Sequence, residues 1–242
     1  MTDSEFQQQL QSIVADGPPE LHENYQQTID QITSYGIGSF EELLAVVRDE
    51  AAAPEIRSAG CWLLGQFRQK RAVYAVLRAF DSQHDDLRRQ AAHTLGVLGS
   101  KVAVKPLLKA LEYASTVERR ADAAYALGHI GDERAAQPLL NRLNDAAEDD
   151  RVRSQAAESL AYLAVETADV RAALIAALAD ASAEVRFWSA FTLGELGDPS
   201  DHATIRALEH LAASDTTVVT GWWSVGQEAQ AALAKLTGDD EG

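Results

Sequence analysis

The chain has 242 residues, of which 46% are apolar, enough for a buried core and too many for a disordered chain. Its 37 acidic and 21 basic residues give a formal net charge of −16. Because this charge repels phosphate backbones and anionic lipid headgroups, we expect no nucleic-acid or membrane binding, and we expect a basic or neutral partner.

Cysteine content and the charge pattern predict a cytoplasmic location. Cys61 is the one cysteine, so no internal disulfide is possible. The N-terminal residues lack the basic-then-apolar pattern of a secretion signal. Residues 216–227 form the longest stretch without a charge, and they are too few to span a bilayer.

Residues 1–38 predict a helical N-terminal extension or cap, with helices at about 3–14 and 20–33 separated by a Gly-Pro-Pro turn. The next helix is expected over residues 40–47 with Ser39 as its N-cap, because Ser39 and Glu42 have the spacing of a capping box. We predict a repeat domain over residues 39–237 and a disordered tail over residues 238–242.

One helical segment recurs five times in the repeat domain, and each copy is apolar at i, i+4, i+8 and i+11. Its shared leucine recurs every 31–33 residues, at Leu64, Leu95, Leu127, Leu160 and Leu193. A second apolar helix lies between successive copies. Glycines at 99, 131 and 197 are expected to end copies of the recurring segment in the left-handed conformation. Helix pairs of this size bury their apolar faces only when they stack on neighbours, which predicts an all-α solenoid of about six helix pairs.

These segments resemble HEAT-like repeats of the phycobilisome-lyase (E–Z) type, most clearly over residues 87–99, 124–143 and 185–197. The resemblance implies a right-handed α–α superhelix whose concave surface is lined by the recurring helix. Proteins with this type of repeat include bilin lyase subunits, an iron-dependent hydroxylase and adaptors without catalytic activity. The hydroxylase holds its irons with His-Glu pairs, and here the only such pair, His22 and Glu23, lies outside the repeats.

An arginine stands seven positions before each shared leucine: Arg57, Arg88, Arg120, Arg153 and Arg186. We interpret this column as a structural ladder of charge-assisted bonds between neighbouring repeats. The expected partners are the acids that precede four of them by two positions, Glu55, Asp86, Glu118 and Glu184. The glycine after each shared leucine is expected to permit close helix contact. The fourth copy has Ala161 and Ala164 in place of both glycines, which predicts a longer helix or a local change of curvature.

Helical rotation places a set of aromatic and charged residues away from the predicted core, on the expected concave face. They are Trp62, Arg89, His93, Tyr125, His129, Glu158, Tyr162, Phe187, Trp188 and Phe191. Trp222 and Trp223 could extend the set. Clustered exposed rings are typical of an interaction surface, but they could also pack on each other or on residues 1–38, and both readings stay open.

The sequence contains no motif for a catalytic nucleophile, a metal site or a phosphate-binding loop, so we predict no catalytic residue, metal or cofactor. The predicted function is a non-catalytic scaffold that binds a basic or amphipathic protein segment on an aromatic and acidic face. The alternative, implied by the resemblance, is a bilin lyase or bilin chaperone subunit, with Arg89, His93 and His129 near the bilin propionates. Enzymatic activity therefore stays open.

Overall fold

The computed structural model describes residues 37–238, so the two predicted N-terminal helices and nearly all of the predicted tail lie outside the described residues. Over this range the chain is all-α, as predicted. Its 12 α-helices are α1 (Ile37–Arg48), α2 (Pro54–Gln66), α3 (Val73–Phe80), α4 (Asp85–Leu98), α5 (Val104–Tyr113), α6 (Val117–Ile130), α7 (Ala136–Asn144), α8 (Asp150–Leu163), α9 (Ala168–Ala177), α10 (Ala183–Leu196), α11 (His202–Ser214) and α12 (Val225–Thr237).

The described chain divides into two compact units, one ending at Ala103 and the other beginning at Val104. The recurring segment forms the repeat helices α2, α4, α6, α8 and α10, and α12 is its degenerate sixth copy. In the first unit α2 packs on α4. In the second unit α6, α8, α10 and α12 pack side by side in chain order, while α5, α7, α9 and α11 each pack against the repeat helix that follows. We call this second set the companion helices.

The shared leucines form the core, since none of the five is more than 2% exposed. In the second unit, the glycine after the shared leucine lets neighbouring repeat helices approach each other closely. A Cβ on Gly128 would lie 2.7 Å from the Cβ of Ser159, and one on Gly194 would lie 2.8 Å from the Cα of Ala232. Neighbouring repeat helices are therefore packed backbone to backbone at these points.

Hydroxyl groups also join neighbouring repeat helices, a feature that the sequence analysis missed. The residue before the shared leucine donates to a carbonyl oxygen of the preceding repeat helix. These bonds run from Thr94 to Cys61 at 3.0 Å, from Ser159 to Ala124 at 2.9 Å and from Thr192 to Ala157 at 2.8 Å. All three hydroxyl residues are buried, so each bond lies in the core between two helices.

In the second unit the arginine column contacts acids in the loop before the next repeat helix. Arg120 bonds Glu148, Arg153 bonds Asp180 and Arg186 bonds Asp215, which are 28, 27 and 29 residues further along the chain. In the first unit, Arg57 donates to the Val47 carbonyl oxygen at 3.2 Å and Arg88 pairs with Asp85 at 2.9 Å.

The acids two positions before the arginines were the wrong partners. Glu118 instead pairs with Arg151 at 3.6 Å, and Asp86 bonds Arg89 at 3.3 Å. Residues two apart on a helix point to different sides, so an acid at that spacing cannot face its arginine.

Two predicted helix ends differ from the structure. Helix α1 begins at Ile37, so Ser39 lies inside it and not at its N-cap. Gly197 has φ −70°, so it is not left-handed. A Cβ there would meet the Leu193 carbonyl oxygen at 2.3 Å, which explains the glycine by close packing.

The fourth copy did not produce a longer helix. Helix α8 has 14 residues, as do α4, α6 and α10. It ends because Ala164 itself takes the left-handed conformation, with φ 51°, at the position held by Gly99 and Gly131 in earlier copies.

Candidate partner-binding face

The second unit carries two groups of aromatic side chains on its repeat helices and on the loop before α12, and we call these together the aromatic face. The first group is Tyr125 and His129 on α6 with Tyr162 on α8. The second is Trp188 and Phe191 on α10 with Trp222 and Trp223 in the loop before α12.

The first group is a stack of three rings across two helices. The Tyr125 and His129 ring centroids are 4.1 Å apart, and those of His129 and Tyr162 are 4.3 Å apart. The His129 Nδ1 lies 3.0 Å from the Tyr125 carbonyl oxygen, which fixes the imidazole. Tyr162 ends the stack and is 47% exposed. This half-open ring offers a flat apolar surface with a polar hydroxyl.

Glu158 lies on α8 one turn before Tyr162, and it is half-buried. Its Oε2 accepts a hydrogen bond from the Gln155 amide at 2.6 Å. Burial raises the pKa of the Glu158 carboxyl, and the Gln155 bond only partly opposes this effect. Burial also raises the pKa of Tyr125 to about 12, and the negative charge of Glu158 adds to that shift. The carboxylate is therefore part of the same local environment as the rings.

The second group is continuous through edge-to-face contacts. The Trp188 centroid lies 5.5 Å from that of Phe191 and 5.3 Å from that of Trp222, with ring planes near perpendicular in both pairs. Trp222 in turn contacts Trp223 at 5.6 Å. Such pairs are the favoured aromatic geometry and hold the rings rigidly. Trp222 is 47% exposed and Trp223 is 45% exposed, so the group presents a large apolar area to solvent.

A tight loop holds the two exposed tryptophans in place. The Trp222 N–H donates to the Val219 carbonyl oxygen at 2.9 Å, and Gly221 supplies the positive φ of 82° that the turn requires. The Trp223 indole N–H donates to Glu228 on α12 at 2.8 Å. Glu228 is buried, and burial raises the pKa of its carboxyl.

The family model for HEAT repeats matches residues 40–128 and 146–224, which is more than half of the chain. The chain belongs to the HEAT-repeat family. A second family model, the PBS lyase HEAT-like repeat, matches residues 119–145. The curated proteins contain no match to this sequence.

Solved structures are similar to this chain at low sequence identity. The complex of CpcE and CpcF of phycocyanin lyase from Nostoc sp. PCC7120 is 18% identical over 89% of this chain and 90% of that chain, with a TM-score of 0.48. A designed armadillo repeat protein in complex with the peptide (KR)4 is 20% identical over 96% and 99%, with a TM-score of 0.48. A structure of Kap95p with RanGDP is 13% identical over 98% of this chain and 41% of that chain, with a TM-score of 0.55.

Two residues of the predicted face of this HEAT-repeat protein are placed differently. Phe187 is 1% exposed, so the prediction that it projects from the core is wrong. The ring contacts Trp188 on its own helix and the loop tryptophans, with centroids 5.3 Å from that of Trp188 and 5.8 Å from that of Trp222. Trp62 is 7% exposed and belongs to the core of the first unit. Arg89 and His93 are exposed on α4 in the first unit.

The remaining predicted residues are exposed or half-buried in the second unit, namely Tyr125, His129, Glu158, Tyr162, Trp188 and Phe191. Two polar partners of these residues, Gln155 and Glu228, were not predicted from the sequence. Gln155 could have been found from its spacing of three residues to Glu158, whereas the Glu228 contact depends on a loop fold that no sequence pattern indicates.

Among residues 37–238, no group of three or more His, Cys, Asp or Glu side chains is arranged to hold a metal ion. Over the same residues, no helix combines the length and the apolar character that crossing a bilayer requires. Burial raises the pKa of the Cys61 thiol to about 12, so its reactive thiolate is strongly disfavoured.

Proposed function

We propose that this HEAT-repeat protein is a non-catalytic scaffold that binds a basic or amphipathic segment of a partner protein on its aromatic face. The observation that carries the proposal is the half-exposed state of Tyr162, Trp222 and Trp223, whose rings are held by neighbouring rings and, for Trp223, by the bond to Glu228. Exposed Trp and Tyr side chains held in fixed conformations lose little conformational entropy on binding, and they dominate the energetics of many interfaces.

Charge favours a basic segment. The chain has a net charge of −16, and the acid Glu158 lies on the same helix as the exposed ring of Tyr162. Lys235 already places its ammonium group 5.5 Å from the centroid of the Phe191 ring, which is a contact that a partner's cation could reproduce. Apolar residues of the segment would cover the tryptophans.

Panning a library of short random peptides against the purified full chain tests the proposal. We expect the enriched peptides to combine Arg or Lys with apolar residues. Tyr162→Ala and Trp222→Ala should each weaken their binding by about tenfold or more in fluorescence anisotropy. The matched control is Tyr113→Ala, because Tyr113 is 70% exposed on companion helix α5 and should not affect binding.

Circular dichroism of each variant separates lost binding from lost folding. Retained helical signal with weakened binding in the two aromatic-face variants supports the proposal. A library without enrichment, or equal losses in the Tyr113 control, contradicts it.

One alternative is favoured by the match of residues 119–145 to the PBS lyase HEAT-like repeat. Under it the chain is a bilin lyase or chaperone subunit, with Tyr125 and Tyr162 as walls and His129 near a propionate. Mixing the protein with a linear tetrapyrrole would then shift the visible absorption spectrum. An unchanged spectrum removes this alternative and leaves the scaffold proposal intact.

A further inference from the structure

Glu158 on α8 is half-buried and accepts a hydrogen bond from a neutral group, whereas several other acids of the second unit are paired with cations. Glu228 on α12 is also bonded by a neutral group, the Trp223 indole, but its side chain is closed off at 4% exposure. Glu148 is paired with Arg120, and Asp215 is paired with Arg186. Glu195, one repeat further along, pairs with Lys235. For Glu158, within residues 37–238, the structure gives one hydrogen bond, from the neutral Gln155 amide to Oε2, and no ion pair.

An ionised carboxylate that is half-buried without a cation makes folding less favourable, because burial removes hydration and no opposite charge replaces it. The raised pKa of Glu158 reports this cost. Residues that lower stability without structural benefit are characteristic of binding sites, where a ligand supplies the missing contact. The Gln155 bond also orients the carboxylate, and Oε1 has no hydrogen-bond partner among residues 37–238.

The surroundings of Glu158 favour a guanidinium group over an ammonium group. The ring of Tyr162, one turn away on the same helix, is 47% exposed, and Tyr125 contributes a second ring from α6. A guanidinium is planar, carries five donors and is weakly hydrated, so it can stack on a tyrosine while donating to a carboxylate. An ammonium is a compact and strongly hydrated charge, and it gains less from the flat ring.

We infer that Glu158, with Tyr162 and Tyr125, forms a subsite for an arginine side chain of the bound partner segment. This inference rests on the proposed function and names one contact within it. The arginine stacks on the exposed ring of Tyr162 and donates to Oε1 of Glu158, so the segment passes over α8 at this point.

Two labelled peptides of equal length test the subsite, one alternating Arg with Leu and the other alternating Lys with Leu. The full chain should bind the Arg peptide about fivefold or more tightly than the Lys peptide, as measured by fluorescence anisotropy. In Glu158→Gln that preference should disappear, and the Arg peptide should bind about tenfold more weakly. Glu209→Gln is the matched control, because Glu209 is an exposed acid on companion helix α11 and its loss changes the net charge equally.

Thermal unfolding separates this subsite from a structural role. Glu158→Gln removes a poorly solvated charge and keeps an acceptor for the Gln155 amide, so its Tm should equal or exceed that of the unaltered chain. A preference for Arg that persists in Glu158→Gln, or that falls equally in Glu209→Gln, overturns the inference.

The same measurements distinguish the inference from the proposed function. If Tyr162→Ala weakens both peptides while Glu158→Gln changes neither, the aromatic face binds but the arginine subsite is wrong. If the peptides bind and no aromatic-face variant changes their binding, both the subsite and the proposed function fail.

Discussion

The Arg120 guanidinium donates three hydrogen bonds to the Glu148 carboxylate, from Nε at 3.0 and 3.2 Å and from Nη2 at 2.7 Å. Its remaining Nη1 donates to the Ala114 carbonyl oxygen at 2.9 Å. Glu148 also accepts from Arg142 at 3.3 Å and from the Asp149 backbone N–H at 2.9 Å. One buried carboxylate therefore connects the start of α6, the end of α7 and the start of α8.

Replacing Arg120 with methionine should lower the free energy of unfolding by about 3 kcal/mol, because Glu148 stays buried after losing its main cation. The Glu148 side chain is only 4% exposed, so water cannot replace the arginine without local rearrangement. Urea denaturation measures the change. Arg151→Met is the control, because the Arg151–Glu118 pair is exposed and should contribute less than about 1 kcal/mol. Equal losses in both variants would contradict the assignment.

The same pair predicts how stability depends on pH. Burial alone would raise the pKa of Glu148, but the bonds from Arg120 and Asp149 dominate and hold it below the ordinary value of 4.5. A carboxyl whose pKa is lower in the folded state stabilises the fold above its unfolded pKa, and this contribution is lost as the pH falls through the folded pKa. The stability difference between the unaltered chain and Arg120→Met should therefore shrink below about pH 4.5. Urea titrations at a series of pH values test this, and a constant difference would exclude Glu148 as the cause.

The arginine column shows how far the sequence could predict contacts. Recurrence at a fixed position before the shared leucine indicated a structural role, since a repeated contact needs a repeated residue. The partners could not be predicted in the same way. They lie in loops of unequal length, at offsets of 27–29 residues, and no common spacing identifies them.

Phe187 shows a different limit of sequence reasoning. Rotation about a single helix placed it with Trp188 on an outward side. The loop before α12 then brings Trp222 and Trp223 against the ring and covers it. Burial here depends on a segment that lies more than 30 residues away, and helical periodicity contains no information about such a contact.

The different burial of Phe187 and Trp222 predicts different losses of stability when each ring is removed. Phe187→Ala should lower the free energy of unfolding by about 4 kcal/mol, because it opens a cavity in a fully buried site. Trp222→Ala should cost about 1 kcal/mol, since about half of that side chain is already in water. Chemical denaturation compares the two. Similar losses would show that Trp222 belongs to the core, and they would weaken its assignment to the aromatic face.

The glycine after the shared leucine offers two substitutions whose effects on stability should have opposite signs. A Cβ on Gly128 would lie 2.7 Å from the Ser159 Cβ and 2.8 Å from the Ser159 Cα, so Gly128→Ala must push two helices apart. A Cβ on Gly65 would meet Thr94 only at 3.6 Å, which is ordinary contact. Gly65→Ala should therefore stabilise the chain by up to about 1 kcal/mol through helix propensity, while Gly128→Ala destabilises it by about 2 kcal/mol. Thermal denaturation tests both, and two changes of the same sign would contradict the packing argument.

The fourth repeat offers a second matched pair, at the two alanines that replace glycine. Ala164 ends α8 with φ 51° and is exposed, so a side chain there adds strain without adding packing. Ala164→Gly should raise the free energy of unfolding by about 0.5–1 kcal/mol, since glycine adopts this conformation without strain. Ala161→Gly, in the interior of the same helix, should lower it by about 1 kcal/mol, because glycine there only adds backbone entropy to the unfolded chain. Denaturation curves of the two variants decide the point: destabilisation by both would mean that the left-handed turn at Ala164 is not strained.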